Sequence, residues 1–544
     1  MKKAISIGLL LGTLIVGNSC VDDKYDLDNL DATTAVKLEN LTVPVRLETI
    51  TLDDVLDISD ESIIKKKTGK NGMFYAIETG GSFQAQPINV KEVEVLDYAT
   101  ISNLPLVVNN GEITPGEVEF SYLLGSGQVD DAIIRVTKLW VSDSKPLELG
   151  LTISSPMGTS IPQITNFVIS IPETFAATYK GQTVINGEVN VDIVNGRIDS
   201  PIMIQVLDFG DGVYRENGNL DFTGMIGVKS GTVAAQNTTL EATFTMSPFN
   251  ANKISGEIEY DVESPDFSPV ELNDIPDFLM DGDSKLIISN PQVYINLENP
   301  VDAPFTGTLK ILPYGNNGAD VIIPLDPFVF NTVIAADIDN LFFTMPQGAT
   351  IQQATDLQNV LYGEGIPQSL DIDLANPVVK GDINEVELGS DLMVSGDYTF
   401  FAPLAFESQS QILYQKKETD FFDGANDVNI TKLVLSAYPT SKIPFNVNLT
   451  VYPLDKEGNR IKGARGNEIS ASGMVKAYAN GSEQLVLSFD QPFTGLDGVE
   501  YIVTVNNMDG TALSPDQTLT LDKIRATITG SYIIVDDKYE EDYK

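Results

Sequence analysis

Val189-Asn190-Val191-Asp192-Ile193 and Phe445-Asn446-Val447-Asn448-Leu449-Thr450-Val451 each alternate an apolar residue with a polar one. A period of two sends every second side chain to the same face, so both stretches read as half-buried antiparallel strands. The turn chemistry between such stretches agrees. Tyr314-Gly315-Asn316-Asn317-Gly318 and Asp455-Lys456-Glu457-Gly458-Asn459 carry the Gly, Asn and Asp that tight turns require. The chain holds 43 glycines and 28 prolines and shows no long helical periodicity. The predicted fold class is mainly β, with tandem antiparallel β-sandwich modules after a small N-terminal α+β module.

The α+β module is read from two features. Thr51 stands three residues before Asp54, a helix-capping spacing, and Leu52, Val55 and Leu56 would share one face of a short helix. Ser62 to Lys66 and Met73 to Glu78 flank Thr68-Gly69-Lys70-Asn71-Gly72, which predicts a hairpin with a glycine-bearing turn.

An internal repeat organises the rest. Thr137-Lys138-Leu139-Trp140-Val141-Ser142, Ser284-Lys285-Leu286-Ile287-Ile288-Ser289 and Thr431-Lys432-Leu433-Val434-Leu435-Ser436 share a pattern of hydroxyl, Lys, Leu, two apolar residues and Ser, with the lysines 147 residues apart. A second strand follows each copy. The expected unit is strand, turn, strand, and the expected division is a signal peptide at 1–19, a lipidated acidic tether at 20–40, the α+β module at 41–135, sandwiches at 136–283, 284–430 and 431–534, and a charged tail at 535–544. Such a row of modules suits a spacer, adhesin or scaffold.

The N-terminus gives an address. Lys2 and Lys3 precede an apolar run from Ile5 to Val16, too short to span a bilayer, and Gly17-Asn18-Ser19 leads into Cys20, the only cysteine. This arrangement resembles the bacterial lipobox, and the resemblance implies that Cys20 becomes the lipidated first residue, acylated with palmitate-type chains that fix the chain to a membrane. With no second cysteine, folding rests on core burial rather than disulfides. Asp22, Asp23, Asp26, Asp28 and Asp31 make the following segment a tether, and acidic residues directly behind the cysteine resemble the surface-export signal of Bacteroidota lipoproteins. Tyr25-Asp26-Leu27-Asp28-Asn29-Leu30-Asp31, Leu41-Thr42-Val43-Pro44-Val45 and Thr49-Ile50-Thr51-Leu52-Asp53-Asp54-Val55-Leu56 further resemble uncharacterised surface lipoproteins of that group. The resemblance spans about the first eighty residues and implies an outer-membrane, surface-facing location, but no activity.

Composition then excludes whole classes of chemistry. The formal charge is −43, which disfavours nucleic acid and anionic lipid surfaces as partners. There is no histidine, so Ser-His-Asp and Cys-His machinery and His-ligated zinc are excluded. Asp371 and Asp373 sit two apart on an apparent strand and read as one solvated face rather than a glycosidase pair. Gly125-Ser126-Gly127 has no following helix or phosphate-loop lysine and reads as a turn. No enzyme is expected.

Two weak ligand signals remain. Asp281-Gly282-Asp283 and Asp423-Gly424-Ala425-Asn426-Asp427 put oxygen donors in turns, which makes Asp281, Asp283, Asp423 and Asp427 candidates for a structural calcium, though neither stretch fits the full calcium-loop spacing. Tyr398, Phe400 and Phe401, with Phe406 nearby, form the densest aromatic cluster, a candidate ligand strip if exposed and sheet packing if buried. Trp140, the only tryptophan, is expected in the core because other copies of the repeat hold Ile287 and Val434 there. The functional expectation is binding or scaffolding for an outer-membrane barrel, another envelope protein or a host surface. The alternative is a glycan-binding accessory of a polysaccharide-uptake system.

Overall fold

The computed structural model describes residues 35–533 apart from 46–48, 57, 59–61, 70–71, 85–86, 156–159, 266–268, 273, 281, 316–317, 343–344 and 420–427. The chain is mainly β, and its strands build three sandwiches, antiparallel apart from the parallel pair Asn331–Ala335 and Thr350–Gln353. Alternation is obeyed in one of the two stretches where it was read, with Val189 and Val191 buried and Asn190 and Asp192 exposed, whereas in the other Asn446 to Thr450 are all half-buried.

The first sandwich takes residues 93–261. In one layer Ala176–Tyr179, Ile202–Tyr214, Ile133–Val141 and Phe249–Asp261 lie side by side. In the other, Glu188–Val191, Ile164–Ser170, Leu220–Val233 and Gly116–Leu124 do. Phe120, Phe167, Phe222 and Leu139 are fully buried between them, and the rings of Tyr122 and Phe249 meet edge to face at 5.5 Å.

Strand Ser369–Glu387 joins this unit to the second sandwich. Its C-terminal half pairs with Phe249–Asp261 and its N-terminal half with Phe305–Tyr314, so one apolar core runs through both. The opposing sheet of the second sandwich orders Thr350–Gln353, Asn331–Ala335, Gln292–Glu298, Ser395–Pro403, Gly72–Gln84 and Ile64–Gly69. The third sandwich packs a sheet of Ala35–Val45, Thr518–Ile533, Val428–Ser441 and Leu485–Phe489 on a sheet of Ile412–Glu418, Gly498–Asn506, Asn446–Leu454 and Ala471–Val475. Leu433, Leu435 and Ile524 from the first sheet meet Val451, Ala471 and Tyr501 from the second in a separate core.

The three units are therefore nested. From Ala35 to Ile533 the chain begins in the third sandwich, crosses the second as Ile64–Gly69 and Gly72–Gln84, builds the whole of the first, returns through the second and ends in the third. The contiguous division at 41–135, 136–283, 284–430 and 431–534 is replaced by this arrangement. Hydrophobic period fixes which face a strand buries but not which strand it joins, and the decisive pairings here link residues hundreds of positions apart, as in Ala35 opposite Ile533.

The α+β module does not form as a unit. Its helix is one short piece, Leu52–Leu56, with Leu56 buried and Val55 exposed, so the expected shared apolar face is incomplete. Its hairpin forms with Gly69 opposite Gly72 but belongs to the second sandwich. The repeat also changes meaning. Leu139, Leu286 and Leu433 are buried alike, yet the first strand of the middle copy shrinks to Lys285–Leu286, and the two strands of the last copy lie in opposing sheets. Trp140 is only half-buried, because it alternates with inward Leu139 and so points outward, where Lys253 Nζ lies 5.8 Å from its ring centre.

Candidate functional site

A cleft of about 1170 Å³ opens in the first sandwich, a size that exceeds ordinary small-ligand sites. Two interruptions of strand pairing make it. Val136 pairs with Val213 and Lys138 with Asp208, so four residues, Phe209 to Gly212, stand opposite Thr137 alone. This bulge throws its residues out of the sheet. Gly210 and Gly212 have φ of 62° and 97°, and a Cβ on Gly212 would come within 2.9 Å of the Arg135 side chain, so the sequence Gly210-Asp211-Gly212 is what allows the turn. On the facing layer Val168 pairs with Ser230 and Ile169 with Val228, which leaves Lys229 as an extra residue at the rim.

The bulge orients the floor and one wall. Phe209 stacks on Phe222 with centroids 5.0 Å apart and meets Phe175 edge to face at 6.0 Å. Asp208 accepts from the Gly210 amide at 3.0 Å and pairs with Lys138 at 2.9 Å, while its carbonyl accepts from Thr174 Oγ1 at 2.8 Å. Partial burial works to raise the Asp208 carboxyl, but the Gly210 N–H and the Lys138 charge outweigh it and hold the group below its ordinary range. Lys229 pairs with Glu188 across the rim. Glu117 and Glu173, also lining the cleft, are exposed and have no ion-pair partner in the structure among the described residues.

Both walls present unpaired backbone. Leu220–Val233 is paired with Gly116–Leu124 along Leu220 to Val228, but Ile164–Ser170 covers its other side only from Gly227 onward. Ile202–Tyr214 is covered by Ile133–Val141 on one side, and by Ala176–Tyr179 on the other only as far as Val206. Thr223, Gly224 and Met225 on one wall and Phe209, Gly210, Gly212 and Val213 on the other therefore line the cleft, and on the side away from Gly116–Leu124 and Ile133–Val141 no strand pairs with them among the described residues.

The residues singled out by sequence lie elsewhere. Tyr398, Phe400 and Phe401 are buried, with relative exposures of 5%, 0% and 0%, and Phe406 is at 1%. They are core, not a ligand strip: Tyr398 and Phe400 face the interior of the second sandwich, and Phe401 packs on the opposite face against Phe74 and Phe342. Asp283 is exposed in a turn, whereas Cys20, Asp281, Asp423 and Asp427 lie outside the described residues. Among the described residues no group of three or more His, Cys, Asp or Glu is placed to hold a metal ion. Asp371 and Asp373 occupy the outward face of Ser369–Glu387, between inward Ile372 and Leu374. Gly125-Ser126-Gly127 is a turn closed by the Gln128 amide on the Gly125 carbonyl. The cleft itself had one sequence signal that went unread. Ile202 and Ile204 alternate inward, then Asp208-Phe209-Gly210-Asp211-Gly212 breaks the period, as a bulge must.

These features define a β protein of several sandwiches with an open cleft in one of them. No family model and no curated protein matches the chain. Among solved structures it is similar to a protein from Parabacteroides distasonis thought to be secreted, at 15% identity over 51% of this chain and 90% of that one, with a TM-score of 0.35. A triple jelly-roll protein of an archaeal virus is fainter still, at 9% identity over 83% of this chain and 90% of that one, with a TM-score of 0.11. At these scores neither likeness bears on function.

Proposed function

We propose that this chain is an outer-membrane lipoprotein, anchored through Cys20 and facing outward, that works by binding rather than catalysis. The observation that carries the reading is the nesting of the sandwiches. Ala35 and Ile533 pair in one sheet of the third sandwich, so both ends of the described chain leave from the same place. Fourteen residues separate Cys20 from Ala35, and the fifteen steps between the two reach at most about 50 Å when fully extended. A lipid on Cys20 holds the third sandwich near the bilayer, and the cleft lies in the first, which neither end of the described residues enters. No helix among the described residues is long and apolar enough to cross a membrane.

Cys20→Ser should shift the protein from the membrane pellet to the soluble fraction and remove the lipid mass from its N-terminal peptide. Retention in the pellet by the variant would refute the anchor. Crosslinking in intact cells through a C-terminal tag should then recover a defined outer-membrane barrel or envelope protein, and recovery of abundant bystanders alone would count against a scaffold.

A glycan-binding reading is favoured by a second cleft, about 810 Å³, in the second sandwich. Ser82, Gln84, Glu298, Ser395 and Asp397 line it with hydroxyl, amide and carboxylate oxygens and no cation. Saccharide-array binding that is lost on Asp397→Ala would support it.

A further inference from the structure

We propose that the cleft of the first sandwich takes an extended peptide segment bearing Lys or Arg side chains, which adds as a strand to the open edge of Leu220–Val233. The inference rests on the reading of this chain as a binding protein and supplies the class of ligand.

Three features of the cleft converge on that ligand. The first is the backbone. An exposed strand edge offers amide and carbonyl groups spaced for another extended chain, and such edges in native proteins are normally covered, charged or bulged away. Here Thr223 to Met225 line the cleft with that edge uncovered, although Gly116–Leu124 fully occupies the opposite edge.

The second is charge. Of the four carboxylates around the cleft, Asp208 is neutralised by Lys138 and Glu188 by Lys229, which leaves Glu117 and Glu173 uncompensated on the rim. Two uncompensated carboxylates lining the same cleft as an open strand edge suit a ligand that brings its own cations. An added strand places alternate side chains on one face, so a segment with Lys or Arg at every second position can offer one to each.

The third is the apolar floor. Met225 is 48% exposed and Phe209 half-buried, giving an adaptable surface for the stems of long cationic side chains. The same floor argues against a neutral glycan. Sugar rings need a free aromatic face, and Phe209 already has one face stacked on Phe222 at an interplanar angle of 17°. The chain's one tryptophan and its most exposed tyrosines, Tyr98, Tyr214, Tyr314 and Tyr478, are not among the residues lining the cleft.

A chain of net charge −43 attracts any cation weakly, so the test must separate the cleft from the whole surface. The mature lipidated protein in neutral detergent is titrated against a fluorescently labelled Lys-Val-Lys-Val-Lys-Val peptide, with anisotropy as the readout. Glu117→Gln with Glu173→Gln should weaken binding at least tenfold, whereas the charge-matched pair Glu457→Gln with Asp516→Asn in the third sandwich should leave it within twofold. A Lys-Pro-Lys-Pro-Lys-Pro peptide of equal charge, unable to donate from its prolines, should also bind at least tenfold more weakly. Equal loss from the remote pair would show adsorption by net charge and overturn the proposal. Equal binding of the proline peptide would overturn strand addition, and displacement of the labelled peptide by maltoheptaose would give the cleft to a glycan. The titration needs no partner protein or membrane, so its failure is distinct from failure of the anchoring and crosslinking experiments.

Discussion

Arg460→Ala is expected to destabilise the third sandwich by about 3 kcal/mol or more, because it strands a buried carboxylate. Glu500 is the third residue of Gly498–Asn506, and its side chain is only 1% exposed. Arg460 Nε donates to one of its oxygens and Gln415 Nε2 to the other, with Lys417 Nζ 3.8 Å away. Arg460 is held in turn by Glu468 at 2.9 Å and by its position over the Tyr452 ring, 3.9 Å from the centre. Removing the guanidinium leaves Glu500 with one neutral donor and one distant cation. Arg460→Met combined with Glu500→Gln should cost less than Arg460→Ala alone, since no unpaired charge then remains inside. Hydrogen exchange of Gly498–Asn506 under mild urea reads the effect locally, which matters in a chain whose sandwiches need not unfold together. Unchanged protection in Arg460→Ala would refute the ion pair as a stabilising element.

The pH dependence has a definite sign. Burial alone would raise the Glu500 carboxyl, but the hydrogen bonds from Arg460 and Gln415 and the charges of Arg460 and Lys417 outweigh it, so the folded group titrates below its ordinary range. A carboxylate lowered in the folded state contributes stability that is complete above its unfolded pKa, about 4.3, and is lost as pH falls through the folded value. In Arg460→Ala burial dominates instead, and protonation relieves the strain. The cost of the substitution should therefore be largest near neutrality and shrink below about pH 4.

What could be read before the fold was known follows the range of the physics involved. Alternation at Val189 to Ile193, the glycine turn before Met73 and the outward pair Asp371 and Asp373 are local matters, settled within a few residues, and all three agree with the structure. The module boundaries failed because pairing partners are chosen globally. Nothing near Leu41 to Val45 announces that this strand lies against Ile524 to Ile528. Trp140 failed for a local reason, since repeat logic placed it inward while its own neighbour Leu139 already held that face. The cleft is intermediate. Its bulge was visible as two glycines spaced two apart in a broken alternation, but the open strand edges beside it depend on where Ile164–Ser170 and Ala176–Tyr179 stop.

Phe400→Ala should cost about 3–5 kcal/mol, the range for an aromatic ring removed from a packed core. Phe400 lies on Ser395–Pro403, which has a partner on each side: Phe400 stands opposite Val293 on one neighbour and Thr79 on the other. Neither neighbour can move to fill the space. Strand Gly72–Gln84 approaches so closely at Gly80 that a Cβ there would lie 2.2 Å from the Tyr398 carbonyl, and Gln292–Glu298 is itself held between Ser395–Pro403 and Asn331–Ala335. The sheet cannot close inward without breaking these ladders, so most of the cavity left by the ring would persist. Phe401→Ala opens the opposite face, where Phe74 and Phe342 enclose the ring in a small cluster separate from the main core, and its lost contacts are confined to that cluster. Thermal unfolding monitored with hydrogen exchange in Gln292–Glu298 should show the Phe400 variant opening first. A Phe400→Ala protein as stable as its parent would mean that this ring is not packed in the core, and would restore the aromatic cluster as a binding surface.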